Sequence, residues 1–133
     1  MSRHHKLMDR AIELALTADY RWRHGAILAR GNKIITVSTN KVRNDVLNVP
    51  HDVTFHAEEL AIRKYCRVVG VSYLFPLDLK DYTIYVARVN PSGSPVLSRP
   101  CESCMQNLQY FGIKAFFYTN ELGGFSHEVV KKL

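Results

Sequence analysis

The chain has 133 residues, which suits one domain with a real hydrophobic core, and we expect residues 1–133 to form that domain. Its residues are 47% hydrophobic and 23% charged, as in ordinary globular proteins, and no apolar run approaches the ~20 residues of a membrane-spanning helix. Since the N-terminus also lacks the apolar segment of a secretory signal, we expect a cytoplasmic protein with no membrane partner. The net charge of +6 has two interpretations, an anionic partner such as a nucleotide or polynucleotide, or solvated surface charge.

The predicted elements alternate between helices and strands. A first helix covers residues 3–18, with Ser2 as its N-cap. Two apolar segments then flank Arg30-Gly31-Asn32, which is typical of a β-hairpin. A polar loop over residues 40–54 precedes a second helix over 55–69. The later predictions are a strand over 81–89, a helix over 101–111, a strand over 114–119 and a short helix from Ser126 to Leu133.

This order predicts an α/β domain in three layers, with a mixed sheet of four to five strands packed between helices. The first two strands should pair antiparallel, because a tight turn joins them. Later strands that are joined by helices should run parallel.

Two motifs carry the residue types of a metal site. His56-Ala57-Glu58 opens the second helix, and Pro100-Cys101-Glu102-Ser103-Cys104 opens the third. Cysteines three residues apart share one face of a helical turn, and the amides at a helix N-terminus favour their thiolates. His56, Cys101 and Cys104 would therefore leave the fourth position of one Zn²⁺ open, as in catalytic zinc sites. Glu58 could reach the water at that position and move its proton.

The third cysteine does not complete a closed structural zinc site. Cys66 lies ten residues after His56. At 1.5 Å per residue the two are roughly 15 Å apart along one helix, too far to share an ion. An odd number of cysteines with one close pair also argues against a disulfide framework. We therefore expect Cys66 in the hydrophobic core.

His56-x-Glu58 followed by Pro100-Cys101-x-x-Cys104 resembles the zinc-binding pattern of the cytidine and deoxycytidylate deaminase superfamily. Gly25-Ala26-Ile27-Leu28 also resembles the first strand of such domains. The resemblance implies a cytidine-deaminase-like fold and a hydrolytic reaction. In the reaction that the resemblance implies, zinc would activate a water, Glu58 would carry protons to the ring nitrogen and the leaving amine, and ammonia would depart. It also implies that the backbone amides of Ala57 and Cys101 lie near the reacting water and the base edge.

Substrate contacts follow from the same resemblance. Asn40 falls where the family often has an asparagine that contacts the sugar, although Ser38 stands where a glycine is often seen two residues earlier. Lys41 and Arg43 are candidates for binding a 5′-phosphate. His51 lies in the loop ahead of the metal histidine and either contacts substrate or faces solvent.

The identity of the substrate stays open among several classes. With a histidine as its first zinc ligand, the chain resembles deoxycytidylate deaminases, polynucleotide cytosine deaminases and tRNA adenosine deaminases. We expect a free cytidine nucleotide such as dCMP, with cytosine in single-stranded DNA or RNA as the alternative. Further alternatives are tRNA adenosine and a catalytically inactive, zinc-binding module.

The C-terminus departs from the family pattern. Members with a histidine as first ligand often have a further strand and helix after the strand at 114–119, whereas only fourteen residues follow Thr119 here. The sheet is therefore expected to have four strands or a very short fifth. Because that edge often carries oligomer contacts, homo-oligomerisation is left open.

Overall fold

The computed structural model describes residues 2–18, 23–42, 54–55, 57–71 and 78–130. The helices in these ranges are α1 (Arg3–Leu16), α2 (Ala57–Val69) and α3 (Glu102–Tyr110). The strands are β1 (Arg23–Arg30), β2 (Lys33–Thr39), β3 (Lys41–Val42), β4 (Thr54–Phe55), β5 (Tyr82–Val89), β6 (Pro95–Val96), β7 (Ala115–Thr119) and β8 (Phe125–Val129). None of the described helices is long and apolar enough to cross a membrane.

One mixed sheet organises the described residues. Its main path has five strands in the order β2-β1-β5-β7-β8, and the two-residue β6 pairs with β5 as a sixth. The β1–β2 hairpin is antiparallel, and β5 and β7, which α3 joins, are parallel. Both relationships were predicted, and the predicted α/β class with a mixed sheet is confirmed. Residues 40–54 were predicted to form a loop, but two short strands lie at its ends. These strands, β3 and β4, pair antiparallel.

Helices cover both faces of the sheet, which confirms the predicted layers. The apolar side chains of α1 form one core cluster with alternate residues of β1, β5 and β7. The apolar side chains of α2 and α3 form a second cluster with the intervening residues of the same strands. On β5, for example, Tyr85 belongs to the α1 cluster, whereas Ile84 and Val86 belong to the other. Cys66 is buried in the second cluster, as predicted.

The predicted helix from Ser126 to Leu133 is wrong. Residues 125–129 form β8, which runs antiparallel to β7, and residues 131–133 lie outside the described ranges. The physical reason is the turn before it. Asn120 Oδ1 accepts hydrogen bonds from the backbone amides of Leu122 and Gly124, and Gly123 adopts a φ of 83°. This turn returns the chain alongside β7, where the sheet's hydrogen bonds replace those of a helix.

Gly25 is the point where α1 lies very close to β1. A Cβ on this residue would lie 2.4 Å from Ala11 O and 2.6 Å from Ala15 N, and both are backbone atoms of α1. We therefore expect Gly25→Ala to push α1 off the sheet and to lower the free energy of unfolding by about 2–3 kcal/mol, as for other overpacked cores. Urea unfolding measures this change.

Gly124→Ala is the matched control for that measurement. A Cβ at Gly124 would have its nearest neighbours 4.0 Å away, in the side chain of Asn120. This variant should stay within about 0.5 kcal/mol of the parent. Equal stability of the Gly25 and Gly124 variants would contradict the close packing of α1 on β1.

Candidate catalytic centre

Hydroxyl groups on β2 hold the first turns of α2. Thr36 Oγ1 donates a hydrogen bond to the carbonyl oxygen of Ala61 at 2.8 Å, and Ser38 Oγ donates to the carbonyl oxygen of Ala57. Residues two apart on a strand share a face, and carbonyls four apart on a helix lie along one side. The two bonds therefore fix both the position and the rotation of α2 on the sheet. They also fix the backbone at Glu58, which follows Ala57.

Glu58 lies in the first turn of α2 and is only 4% exposed. Its carboxylate oxygen Oε1 accepts a hydrogen bond from Cys104 Sγ at a distance of 3.0 Å. The two residues are 46 positions apart in the sequence, so the fold brings the two motifs together. Its neighbour Glu59 points elsewhere and pairs with Arg63 at 3.0 Å, one turn along the same helix.

The two cysteines of the second motif stand at the start of α3. Cys101 is the N-cap residue and is exposed, whereas Cys104 is buried. The carbonyl oxygen of Cys101 accepts the first hydrogen bond of the helix, from Met105 N at 2.8 Å. Neither cysteine forms a disulfide bond, and both stand at the start of the helix, where the helix dipole favours negative charge.

The surroundings of Cys104 oppose a negative charge on its sulfur. Burial, the neighbouring Glu58 carboxylate and the Cys101 thiol all raise the pKa of Cys104 well above its ordinary value. A thiolate beside a buried carboxylate is thus stable only with a cation next to both. Two sulfurs within one helical turn are the donor type that Zn²⁺ prefers, so these residues fit a zinc ion.

The predicted third ligand, His56, lies outside the described residues, as do His51 and Arg43. Within the described ranges, the potential ligands form no group of three or more that could hold a metal ion. The backbone of Lys41 lies in β3, beside the end of β2. Asn40 is buried, and its Oδ1 accepts a hydrogen bond from His24 N at 2.9 Å.

The hydroxyls of Thr36 and Ser38 were not among the predicted site residues. Their signal in the sequence is a short alternation, since Thr36 and Ser38 are polar positions on one face of β2 and are separated by the apolar Val37. Ser38 was noticed only as a departure from a glycine. Which carbonyls these hydroxyls reach depends on the packing of α2, which the local pattern does not specify.

Comparison with known proteins identifies the family of this chain. The profile of the cytidine and deoxycytidylate deaminase zinc-binding region matches residues 1–120. The chain is 29% identical over 121 residues to guanine deaminase of Bacillus subtilis strain 168; the match covers 89% of this chain and 65% of the relative. The chain therefore spans less than two thirds of that relative's length.

Two solved structures share the fold. Cytidine deaminase from Burkholderia pseudomallei has a TM-score of 0.65 at 20% identity, with 98% of this chain and 94% of that one covered. The dCMP deaminase of cyanophage S-TIM5 has a TM-score of 0.64 at 19% identity, with 91% and 85% covered. Since the family profile matches most of its length, this chain belongs to the cytidine and deoxycytidylate deaminase family, whose shared domain binds zinc.

Proposed function

We propose that this protein is a zinc-dependent hydrolytic deaminase that converts cytosine to uracil in a free cytidine nucleotide such as dCMP. One observation carries the reaction type, namely the buried contact of 3.0 Å between Cys104 Sγ and Glu58 Oε1. This contact places the carboxylate of Glu58, a proton acceptor, next to the sulfur of Cys104, one of the proposed zinc ligands. In this proposal His56, Cys101 and Cys104 hold one zinc ion per chain.

The chain's own residues account for the proton transfers. Bound zinc supplies the Lewis acidity that lowers the pKa of a water toward neutrality. In the proposed mechanism Glu58 takes the proton that this water loses as its oxygen bonds to C4 of cytosine. Glu58 then passes this proton to the ring nitrogen. It moves the second proton, which comes from the hydroxyl now on C4, to the amino group, so the C4–N bond breaks, ammonia leaves and the C4 carbonyl of uracil remains.

The starts of α2 and α3 supply backbone donors in this proposal. The first amides of a helix have no carbonyl partner within the helix, and they carry its positive dipole end. We assign the N–H groups of Ala57 and Cys101 to the reacting water and the base edge. Both residues stand at helix starts, Ala57 as the first residue of α2 and Cys101 as the N-cap of α3.

Support for a free nucleotide comes from the end of β2. Asn40 is buried directly after β2, and its Oδ1 accepts a hydrogen bond from His24 N, which fixes the side chain that we assign to the sugar. We assign Lys41 and Arg43, which follow it directly, to the 5′-phosphate, and His51 to a further substrate contact. Guanine is the second candidate substrate, because the curated relative in Bacillus subtilis is named a guanine deaminase.

A substrate panel tests this proposal. The zinc-loaded protein would be given dCMP, CMP, cytidine, guanine, tRNA and single-stranded DNA and RNA, with ammonia release as the measurement. We expect turnover of dCMP or CMP, with kcat/KM for cytidine lower by at least about tenfold because the phosphate contacts are lost. Turnover of guanine alone would replace the substrate while keeping the reaction. Activity on oligonucleotides with none on dCMP would contradict the free nucleotide.

A further inference from the structure

We infer that Glu128 is a positioning residue for the proposed zinc ligand Cys101, and that it acts through Arg99. This inference rests on the proposed function, because it concerns the zinc site of the same centre. Glu128 lies on β8, in the segment where the sequence predicted a helix, whereas Arg99 lies two residues before Cys101. The ion pair between them connects the edge of the sheet to the segment that leads into the metal motif.

The pair has the geometry of a two-point clamp. Arg99 Nε donates a hydrogen bond to Glu128 Oε2 at 2.7 Å, and Arg99 Nη2 donates to Oε1 at 3.2 Å. Tyr118 OH, on β7, donates to Oε2 at 3.0 Å. A bidentate pair between planar groups fixes direction as well as distance. The hydrogen bond from Tyr118 thus orients the carboxylate of Glu128, and this carboxylate in turn orients the guanidinium group of Arg99.

Hydrogen bonds to β5 and β7 hold Ser98, the residue before Arg99. Ser98 is buried, and its hydroxyl donates to the carbonyl oxygen of Val86 on β5 at 3.0 Å. Its backbone amide donates to Thr119 O at 3.0 Å, and Thr119 N donates back to Ser98 Oγ at 2.8 Å. Two consecutive residues are thus fixed to three different strands.

Little freedom remains between this clamp and the ligand. The next residue is Pro100, whose ring fixes its φ angle, and Cys101 follows directly as the N-cap of α3. The first turn of α3 brings the sulfurs of Cys101 and Cys104 to one side, and Cys104 also contacts Glu58 on α2. The clamp adds a constraint on the backbone where it enters α3 at Cys101.

The alternation of side chains along β8 explains why Glu128 lies on the same face of the sheet as α2 and α3. His127 stacks on Phe117 with ring centroids 5.1 Å apart, and Phe117 belongs to the core on the α1 side. Successive residues of a strand point to opposite faces. Glu128 consequently points to the side of α2 and α3, where it lies opposite Phe116 in the register of β7 and β8.

The clamp is half-exposed, with side-chain exposures of 48% for Arg99 and 35% for Glu128. Exposed ion pairs contribute little to global stability. Groups that are hydrogen-bonded directly to metal ligands, by contrast, change metal affinity by about 10–100-fold when they are removed. Arg99 and Glu128 act one step further out, through the backbone at Pro100, so we expect an effect at the lower end of this range. A positioning role therefore predicts a large effect on zinc retention with a small effect on unfolding.

The test measures zinc release from the purified, zinc-loaded protein into an excess of a chromogenic chelator. We expect Glu128→Gln to speed release about tenfold, because the neutral amide no longer forms the ion pair. Its thermal midpoint should fall by only a few degrees. With the best nucleotide, kcat should fall while KM stays within about twofold, because this variant changes the metal centre and leaves the substrate contacts intact.

Two further variants keep the test decisive. Arg99→Lys retains the charge but loses the two-point geometry, and we expect about threefold faster release from it, less than the change of about tenfold expected of Glu128→Gln. It replaces Glu128→Gln if that variant fails to fold. Glu13→Gln breaks the exposed Arg10–Glu13 pair on α1 and should release zinc at the parent rate.

A parent-like release rate in both Glu128→Gln and Arg99→Lys would overturn the positioning role, even if both variants unfold at lower temperature. This failure is distinct from failure of the proposed function. If the parent protein retains no zinc, both proposals fall together. If it retains zinc but deaminates a different base, only the proposed substrate is replaced, and the release rates still decide the role of Glu128.

Discussion

Replacing Glu58 with glutamine is expected to lower kcat by about 100- to 10,000-fold while the protein keeps its zinc and its fold. Glutamine has nearly the same shape as glutamate, and its carbonyl oxygen can still accept the hydrogen bond from Cys104 Sγ that Glu58 accepts at 3.0 Å. An amide cannot take up and return a proton at neutral pH. The variant therefore removes proton transfer and preserves the packing around a buried side chain.

Glu59→Gln is the matched control. Glu59 stands in the same first turn of α2, and its carboxylate pairs with Arg63 at 3.0 Å instead of contacting Cys104. Glu59→Gln removes one negative charge from the same end of α2 as Glu58→Gln does. Any effect on activity that comes only from this charge and the helix dipole therefore appears in both variants. We expect its kcat to stay within about threefold of the parent.

Steady-state kinetics, metal analysis and thermal unfolding separate the outcomes for Glu58. Loss of activity together with loss of zinc would make Glu58 a support of the metal and not a proton carrier. Equal losses in the Glu58 and Glu59 variants would trace the effect to charge at the helix end. Normal turnover by Glu58→Gln would contradict the proposed mechanism outright.

The metal motifs could be predicted from the sequence because their chemistry is local. A Cys-x-x-Cys pair at a helix start needs only one turn of helix to bring both sulfurs to the same side, and the structure has Cys101 and Cys104 there. The approach of Glu58 to Cys104 is not local, but the combination of two motifs in order pointed to it. Whether these residues bind zinc and move protons stays a prediction.

The supports of the site could not be predicted in the same way. Ser38 and Thr36 donate to helix carbonyls that lie 19 and 25 residues further along the chain, respectively. Any serine or threonine in a half-buried strand could make such a bond, or could face solvent instead. Only the packing of α2 on β2 selects the acceptor, and that packing depends on the whole core.

The last strand shows the limit most clearly. Residues 125–129 are few, and Ser126 is a plausible N-cap, so the local pattern favoured a short helix. The strand forms because the Asn120 turn brings it against β7, where five residue pairs lie in antiparallel register. Its stability comes from that pairing and from aromatic contacts such as His127 on Phe117. The same non-local pairing delivers Glu128 to Arg99.

Cys104→Ser is expected to raise the dissociation constant for zinc by more than about 100-fold. Changes in the surroundings of metal ligands already cost 10–100-fold, and this one removes a ligand. The serine hydroxyl can still donate to Glu58, so the contact between α2 and α3 is weakened less than the metal site. Since a ligand stabilises the state that binds it, zinc at a concentration between the two dissociation constants should raise the thermal midpoint of the parent and hardly change that of the variant.

Cys66→Ala is the control that separates metal loss from core damage. Cys66 is 2% exposed and Cys104 is 3% exposed, so both substitutions remove a buried sulfur. Cys66 packs in the core among residues of α2 and the sheet, and its loss should lower the free energy of unfolding by about 1–2 kcal/mol through the cavity it leaves. Its thermal midpoint should still rise with zinc. If Cys104→Ser responds to zinc as strongly as Cys66→Ala does, then Cys104 is not a zinc ligand.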